Sequence, residues 1–156
     1  MEIAILAVGK LRPSFREACD DYLKRLRRYA TIVEHQVPEA SRAGSPAVQR
    51  REETARLLAR LPGQSRRVAL TRQGEPWSSR ELAHQLEQWR QGRRPVAFLL
   101  GGSHGLDSDQ FEAADQRWSL GPLTLPHELA RVVVCEQLYR AFTILRGEPY
   151  HKGADS

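Results

Sequence analysis

"PVAFLLGGSHGL", residues 95–106, decides the fold class of this chain. Its first six residues form an uninterrupted apolar run of strand length, which is typical of a parallel strand covered by helices on both faces. Three glycines, Gly101, Gly102 and Gly105, follow directly, and glycines at the carboxyl end of such a strand let the backbone approach a ligand closely. Their spacing is neither a P-loop nor the dinucleotide-binding fingerprint. A tight turn alone would also explain them.

Strands and helices alternate along the chain. Strand-like runs occupy 2–8, 31–37, 66–71 and 95–100, and helical spacing occupies 13–29, 45–61, 78–92, 107–116 and about 127 to 146. Ser45 before Pro46 and the Ser78/Glu81 capping box mark two helix starts. The alternation predicts an α/β fold with a mostly parallel sheet, as one domain over residues 1–156. Taken alone, the pattern favours an open, doubly wound sheet.

Composition limits the possible classes of protein. With 40% hydrophobic and 28% charged residues in a chain of 156, the sequence is typical of a globular domain and not of a disordered one. No apolar run approaches the ~20 residues of a membrane span. We interpret residues 3–8, "IAILAV", as a first strand and not a signal peptide, and we expect no membrane association and a cytoplasmic location.

Cysteine and histidine usage gives no sign of a metal site. Cys19 and Cys135 are isolated, which favours buried small hydrophobic residues over a disulfide framework or reactive thiols. The five histidines are scattered, without a His/Cys/Asp pairing at ligand spacing. No Gly-x-Ser-x-Gly or similar nucleophile motif is present.

The basic charge allows a polyanionic partner without requiring one. The net charge is +5, from 24 basic and 19 acidic residues, and nearly all the basic residues are arginines. Guanidinium groups bind phosphates in a bidentate fork and stack on bases. The same composition would arise in a protein whose surface merely uses arginine in place of lysine. Charge alone leaves both interpretations open.

The segment 119–127, "SLGPLTLPH", carries no charge before His127. Exposed loops are rarely this apolar, so the segment is either packed inside or lines a pocket for a flat, partly apolar group such as an adenine. A loop buried by packing alone is uncommon, because its backbone polar groups need partners. Gly121 and Pro122 fix the shape of the loop.

The last helix is apolar on more than one side, which is typical of a central helix or of a subunit interface. Glu136 and Arg140 are four residues apart and therefore share a face. They form either an ordinary ion pair or part of a site. After Gly147 the helix should end, which places Tyr150 and His151 on a short tail.

Several of these stretches together resemble a known family. "LLGGSHGL" (99–106), "WSLGPLTLPHELARVVVCEQLYRAF" (118–142) and "GEPYHK" (147–152), with "AVGKLRPSF" (7–15) and "GEPW" (74–77), are similar to ribosomal large subunit methyltransferase H, a family of small SPOUT-class rRNA methyltransferases. The resemblance covers essentially the full chain. It implies an α/β knot, S-adenosylmethionine as the cofactor, a homodimer, and N3-methylation of a pseudouridine in 23S rRNA on the assembled ribosome.

The resemblance also implies where the cofactor binds. The family's cofactor positions correspond to Leu70, Gly101, Leu120, Gly121, Pro122, Leu123, Thr124 and Leu125. In the family's knot, the segment around 100–125 threads through a loop. No role carries over to His104 or to residues 153–156.

For the chemistry, we predict four residues at the end of the chain. Arg140 orients the target nucleotide and stabilises its anion, Glu136 holds Arg140, and Tyr150 positions the base. His151 is the proton acceptor best matched to neutral pH. We further predict that the tail of one subunit completes the cofactor pocket of the other. The alternatives are a non-catalytic ribosome-binding factor and a SPOUT methyltransferase that acts on tRNA.

Overall fold

The computed structural model describes residues 1–151 and contains a five-stranded parallel sheet. The strands are β1 (Glu2–Val8), β2 (Thr31–Val37), β3 (Arg66–Glu75), β4 (Val96–Leu100) and β5 (Gln116–Trp118). The helices are α1 (Pro13–Leu26), α2 (Pro46–Leu58), α3 (Ser79–Gln91), α4 (Ser108–Glu112) and α5 (His127–Leu145). A 3₁₀ turn, Pro149–His151, follows α5.

Helices cover both faces of the sheet, whose strand order is β2-β1-β4-β3-β5. On one face, Ile3, Ile5 and Ala7 of β1 pack against α1, α3 and α5. On the other face, Ala4, Leu6 and Val8 share a smaller core with α2 and the segment around α4. Every residue of β4 is buried, as its continuous apolar run requires. The predicted α/β fold with a mostly parallel sheet is confirmed.

Two helices begin at the residues that the sequence indicated. The Ser45 hydroxyl accepts the Val48 N–H at 3.2 Å. The Ser78 hydroxyl accepts the Glu81 N–H at 3.1 Å, while the Glu81 carboxylate accepts the Ser78 N–H at 2.8 Å. These bonds satisfy backbone donors that have no partner within a helix.

The region of β3 and β5 differs from the prediction. The predicted helix over 107–116 is shorter, since α4 ends at Glu112, and β5 follows it. The predicted strand over 66–71 extends to Glu75, and both Leu70 and Glu75 are register partners of Trp118. Residues 71–74 therefore curve around the end of β5. A three-residue strand carries no usable periodicity, so this pairing depends on tertiary contact. The knot implied by the resemblance stays a prediction.

The two cysteines face each other between α1 and α5. Both are fully buried, and their thiols are 3.5 Å apart in a hydrogen bond, with no disulfide between them. The contact with Cys19, followed by burial, raises the pKa of Cys135 well above its ordinary value. The prediction that both cysteines are buried is confirmed. None of the helices within residues 1–151 is long and apolar enough to cross a membrane.

Candidate active site

A cavity of about 340 Å³ opens at the carboxyl end of β4, beside residues 70–72 of β3. This is the edge of a parallel sheet at which ligands generally bind, and the volume lies in the usual range for small-molecule sites. Three segments form most of the wall: residues 70–72, residues 100–105 and the loop 119–125. His127 and Ala130 at the start of α5 complete it.

The glycine turn after β4 forms one wall, and its three glycines contribute only backbone. A Cβ atom added to Gly101 would lie 2.4 Å from the carbonyl carbon of Gly105, a distance that no side chain can occupy. Gly105 has a φ of +80° and donates its N–H to the Gly102 carbonyl at 3.0 Å. Gly101 must be glycine because the two ends of the turn lie too close for a side chain. Gly105 favours glycine because its backbone is in the left-handed region. A ligand can approach the backbone at these glycines without meeting a side chain of theirs, while Ser103 and His104 of the same turn also line the cavity.

The apolar loop forms the opposite wall. The Ser119 N–H donates to the Glu75 carbonyl at 2.9 Å, which fixes the loop to the end of β3. The Ser119 hydroxyl accepts the Gly121 N–H at 3.1 Å, and Gly121 has a φ of +109°. Leu123 is 75% exposed. The loop lines a pocket and is not packed away inside the protein.

The structure brings together most of the residues that were predicted to bind the cofactor. Seven of the eight line the cavity: Leu70, Gly101, Leu120, Gly121, Leu123, Thr124 and Leu125. Pro122 is exposed and does not line it. Their role in cofactor binding stays a prediction. A wall of leucine side chains and glycine backbone suits a ligand with a flat, partly apolar part.

Sequence reasoning missed other parts of the wall. Arg72 lies beyond the predicted end of the strand and lines the cavity because β3 extends to Glu75, and Thr71, the last residue of the predicted strand, lines it as well. His104, to which no role was assigned, also lines it. Its position among the glycines of the turn was the only feature of the sequence that could have indicated this. Among the described lining residues, Arg72 alone carries a permanent charge.

A second group of functional candidates lies further along α5. The Arg140 guanidinium contacts the Glu136 carboxylate through Nε at 3.1 Å and through Nη2 at 3.0 Å. The Tyr150 hydroxyl donates to the same carboxylate oxygen at 2.9 Å, and the Arg140 guanidinium lies 5.0 Å from the centre of the Tyr150 ring. Burial, followed by hydrogen bonding to Tyr22 and then to Glu136, raises the pKa of Tyr150 above its ordinary value. Tyr150 is therefore a neutral phenol at physiological pH.

The cavity and this group are separate within one chain. Ala130 lines the cavity, whereas Arg140 is ten residues further along α5, which corresponds to a rise of about 15 Å. None of Glu136, Arg140 and Tyr150 lines the cavity. His151 lies in the 3₁₀ turn, but its side chain and residues 152–156 are outside the described part of the chain.

Arg131 anchors the start of α5, and sequence reasoning missed this role. It is only 1% exposed. Its guanidinium donates to the carbonyls of Val8 at 3.1 Å and Gly9 at 2.8 Å, and to Gln36 at 2.6 Å. It also pairs with Glu34 at 3.4 Å. Burial lowers its pKa, against the opposing effect of Glu34. An arginine within an apolar helix was the only sequence signal.

Within residues 1–151, no group of three or more histidine, cysteine, aspartate and glutamate side chains is arranged to hold a metal ion.

Comparison with known proteins adds to this geometry. A family model described as "Predicted SPOUT methyltransferase" matches residues 1–151. A protein of Rubrobacter xylanophilus named ribosomal RNA large subunit methyltransferase H is 52% identical over 152 residues, covering 94% of this chain and 96% of the relative. One of the same name from Anaeromyxobacter sp. is 43% identical over 153 residues, covering 97% of this chain and 100% of the relative.

A solved structure supports the fold. The crystal structure of a probable methyltransferase from Bordetella pertussis matches with a TM-score of 0.55 and 17% identity, covering 90% of this chain and 95% of that one. At this identity, the likeness concerns the fold alone.

Proposed function

The chain belongs to the SPOUT methyltransferases, in the family of ribosomal RNA large subunit methyltransferase H, and from this premise we propose that it is an S-adenosylmethionine-dependent enzyme that methylates N3 of a pseudouridine in 23S rRNA on the assembled ribosome. The observation that carries the proposal is the glycine-walled cavity, lined by seven of the eight residues expected to bind the cofactor.

The cavity residues fit the proposed cofactor. Gly101 and the 119–125 loop line the cavity and would present backbone to an adenine edge, while the surrounding leucines would offer apolar faces to its ring. Arg72, at the same wall, suits a carboxylate. When bound, S-adenosylmethionine supplies an electrophilic methyl group.

The group on α5 suits the nucleotide. The imino N3 of pseudouridine is a poor nucleophile until it loses its proton, so the site needs a cation that stabilises the anion and an acceptor for the proton. Arg140 provides the cation, held in place by Glu136. Tyr150, kept as a neutral phenol, positions the base, and His151 accepts the proton.

A homodimer would unite the two halves of the site. Leu129 and Val133 are only half-buried and lie on the same face of α5 as Glu136 and Arg140. Leu123, at the cavity, is largely exposed. A second subunit that covers this apolar face would carry its own cavity close to Arg140 and Tyr150. We propose that each active site combines the cavity of one subunit with the tail of the other.

Nucleoside mass spectrometry tests the reaction. We expect rRNA from a strain that lacks the gene to have lost one methylated pseudouridine, and purified enzyme to restore it on assembled ribosomes. Loss of a tRNA modification instead would support the tRNA alternative. Calorimetric titration with S-adenosylmethionine separates an enzyme from a non-catalytic ribosome-binding factor, which would bind ribosomes but not the cofactor.

Two variants test the assignment of residues. We expect Arg140→Ala and His151→Ala to slow methylation of ribosomes by at least about 100-fold, the usual effect of removing a group that stabilises developing charge. The cofactor affinity of the Arg140→Ala variant should stay unchanged in the calorimeter. Wild-type rates in both variants would refute the assignment.

A further inference from the structure

All four tyrosines of the chain lie together at the carboxyl ends of α1 and α5. Tyr139 is at the centre: its ring centre is 6.3 Å from that of Tyr22, 6.1 Å from that of Tyr29 and 4.6 Å from that of Tyr150. Tyr139 is buried, whereas the outer three are half-exposed. The result is a continuous aromatic layer that reaches the Glu136–Arg140–Tyr150 group.

Arginine side chains lie over these rings. The Arg28 and Arg146 guanidinium groups lie 5.9 and 5.0 Å from the centre of the Tyr29 ring. The Arg25 guanidinium lies 5.7 Å from the Tyr22 ring centre and 5.6 Å from that of Tyr139. We call this region the arginine–tyrosine surface. It comprises Tyr22, Arg25, Arg28, Tyr29, Tyr139, Arg140, Arg146 and Tyr150.

The charge of this surface is only partly neutralised. Arg25 pairs with Asp21 at 3.3 Å, and the Tyr29 hydroxyl donates to Glu148 at 2.6 Å. In the described chain, no carboxylate pairs with the side chain of Arg28 or Arg146, and both are exposed. Burial and the bond to Glu148 raise the pKa of Tyr29 to about 12, so the ring beneath them stays neutral.

We propose that the arginine–tyrosine surface binds unpaired nucleotides of the RNA substrate beside the target base. Exposed guanidinium groups on aromatic rings offer phosphates a charged partner and offer bases a stacking platform. Continuity with the Glu136–Arg140–Tyr150 group places bound RNA next to the nucleotide to be methylated. This inference rests on the proposed function and extends it to the route by which RNA reaches the site.

RNA fits the outer part of this surface, around Arg28 and Arg146, better than a second protein subunit does. The described chain pairs neither arginine with a carboxylate, and a subunit interface there would remove two charges from water, which is costly unless the partner pairs both. RNA would supply a phosphate for each of these two arginines. Binding to phosphates also releases counterions, which is the main source of affinity for nucleic acids.

A matched pair of double variants tests the proposal. Arg28→Gln/Arg146→Gln removes both unpaired charges, whereas Arg51→Gln/Arg60→Gln removes two exposed arginines in and after α2, on the other face of the sheet. Affinity for a fluorescently labelled RNA stem-loop would be measured by anisotropy between 50 and 200 mM salt. For the first variant we expect about tenfold weaker binding. We also expect the salt slope, the fall of the logarithm of the association constant with the logarithm of the salt concentration, to be smaller by about 1–2. The second should match the wild type.

Further measurements locate the effect. With ribosomes as the substrate, Arg28→Gln/Arg146→Gln should raise KM and leave kcat, cofactor affinity and sedimentation unchanged. Arg28→Lys/Arg146→Lys should restore the salt slope but not the full affinity, since lysine keeps the charge without the planar stacking group. Full recovery of RNA affinity in Arg28→Lys/Arg146→Lys would refute a stacking role for the two guanidinium groups.

Equal RNA affinity of the two glutamine variants would refute the proposal as a whole. That result is distinct from failure of the proposed function, in which the wild type would transfer no methyl group to rRNA. The comparison of RNA affinities tests RNA binding by the arginine–tyrosine surface whether or not the wild type transfers a methyl group.

Discussion

Arg131 is the residue whose loss we expect to cost the most stability. Its guanidinium donates to two backbone carbonyls at the end of β1 and contacts Gln36 and Glu34 on β2. Removing one partner of a buried ionic network leaves polar groups without hydrogen bonds. We therefore expect Arg131→Met to lower the free energy of unfolding by about 3–5 kcal/mol, measured by urea denaturation at pH 7.

Arg12→Met is the control for Arg131, because the Arg12 side chain is 68% exposed and pairs with Glu128 at 3.0 Å. An exposed ion pair contributes about 1 kcal/mol or less. A similar loss of stability in the two variants would contradict the anchoring role of Arg131.

Tyr29 should make the stability of the protein sensitive to alkaline pH. Its pKa rises from 10.0 to about 12 on folding, because of burial and then of the Glu148 carboxylate. The folded state thus holds a proton that the unfolded state releases first, so this contribution is complete below pH 10 and is lost as the pH rises through about 12. Tyr29→Phe removes the ionisable group together with its hydrogen bond.

We expect Tyr29→Phe to be less stable than the wild type at pH 8 and the difference to shrink by pH 11, measured by urea denaturation at both values. A difference that stays constant between the two pH values would show that the ionisation of Tyr29 is not coupled to folding.

At the scale of secondary structure, elements with a strong local pattern were predictable and those created by contact were not. The apolar run of β4 and the capping box of α3 identified both elements. The strand β5 has only three residues, and its position depends on the curve of β3 around Trp118. No local pattern carries that information.

The candidate site divides in the same way. The apolar loop and the glycine turn were visible in the sequence, because a loop without charge and glycines after a buried strand are unusual locally. Arg72 and Arg131 were not, since the position of Arg72 depends on the extension of β3 and that of Arg131 on distant backbone carbonyls. Long-range partners cannot be read from the spacing of residues.

Gly74 permits the close contact between β3 and β5. A Cβ atom at this position would lie 2.6 Å from the backbone of both Arg117 and Trp118. We expect Gly74→Ala to displace β5 and the loop that follows it, with a loss of about 1–3 kcal/mol or more in the free energy of unfolding and weaker binding of S-adenosylmethionine. Thermal denaturation and calorimetric titration measure the two effects.

Gly44→Ala is the matched control, because nothing lies within 4 Å of a Cβ atom added to Gly44. This variant should keep the stability and cofactor affinity of the wild type. If Gly74→Ala behaved in the same way, the close contact would not be needed for the cavity.

At the scale of the whole molecule, the two halves of the proposed site lie about 15 Å apart along α5. A single chain therefore cannot bring Arg140 to its own cavity without a rearrangement of the helix. The half-exposed Leu129 and Val133, on the face of α5 that carries Arg140, suit contact with a second subunit. An isologous contact would repeat the arrangement and give two equivalent sites per dimer.

Mixing two inactive variants tests this arrangement. Ala130→Phe fills the cavity, and Arg140→Ala removes the cation from the Glu136–Arg140–Tyr150 group, so each should be inactive as a homodimer. After subunit exchange, half of the dimers are mixed, and each mixed dimer holds one site with an intact cavity and an intact Glu136–Arg140–Tyr150 group. We expect recovery of about a quarter of the wild-type rate of ribosome methylation. If the cavity and this group acted within one chain, no intact site could form, and the mixture would stay inactive while sedimentation still showed dimers.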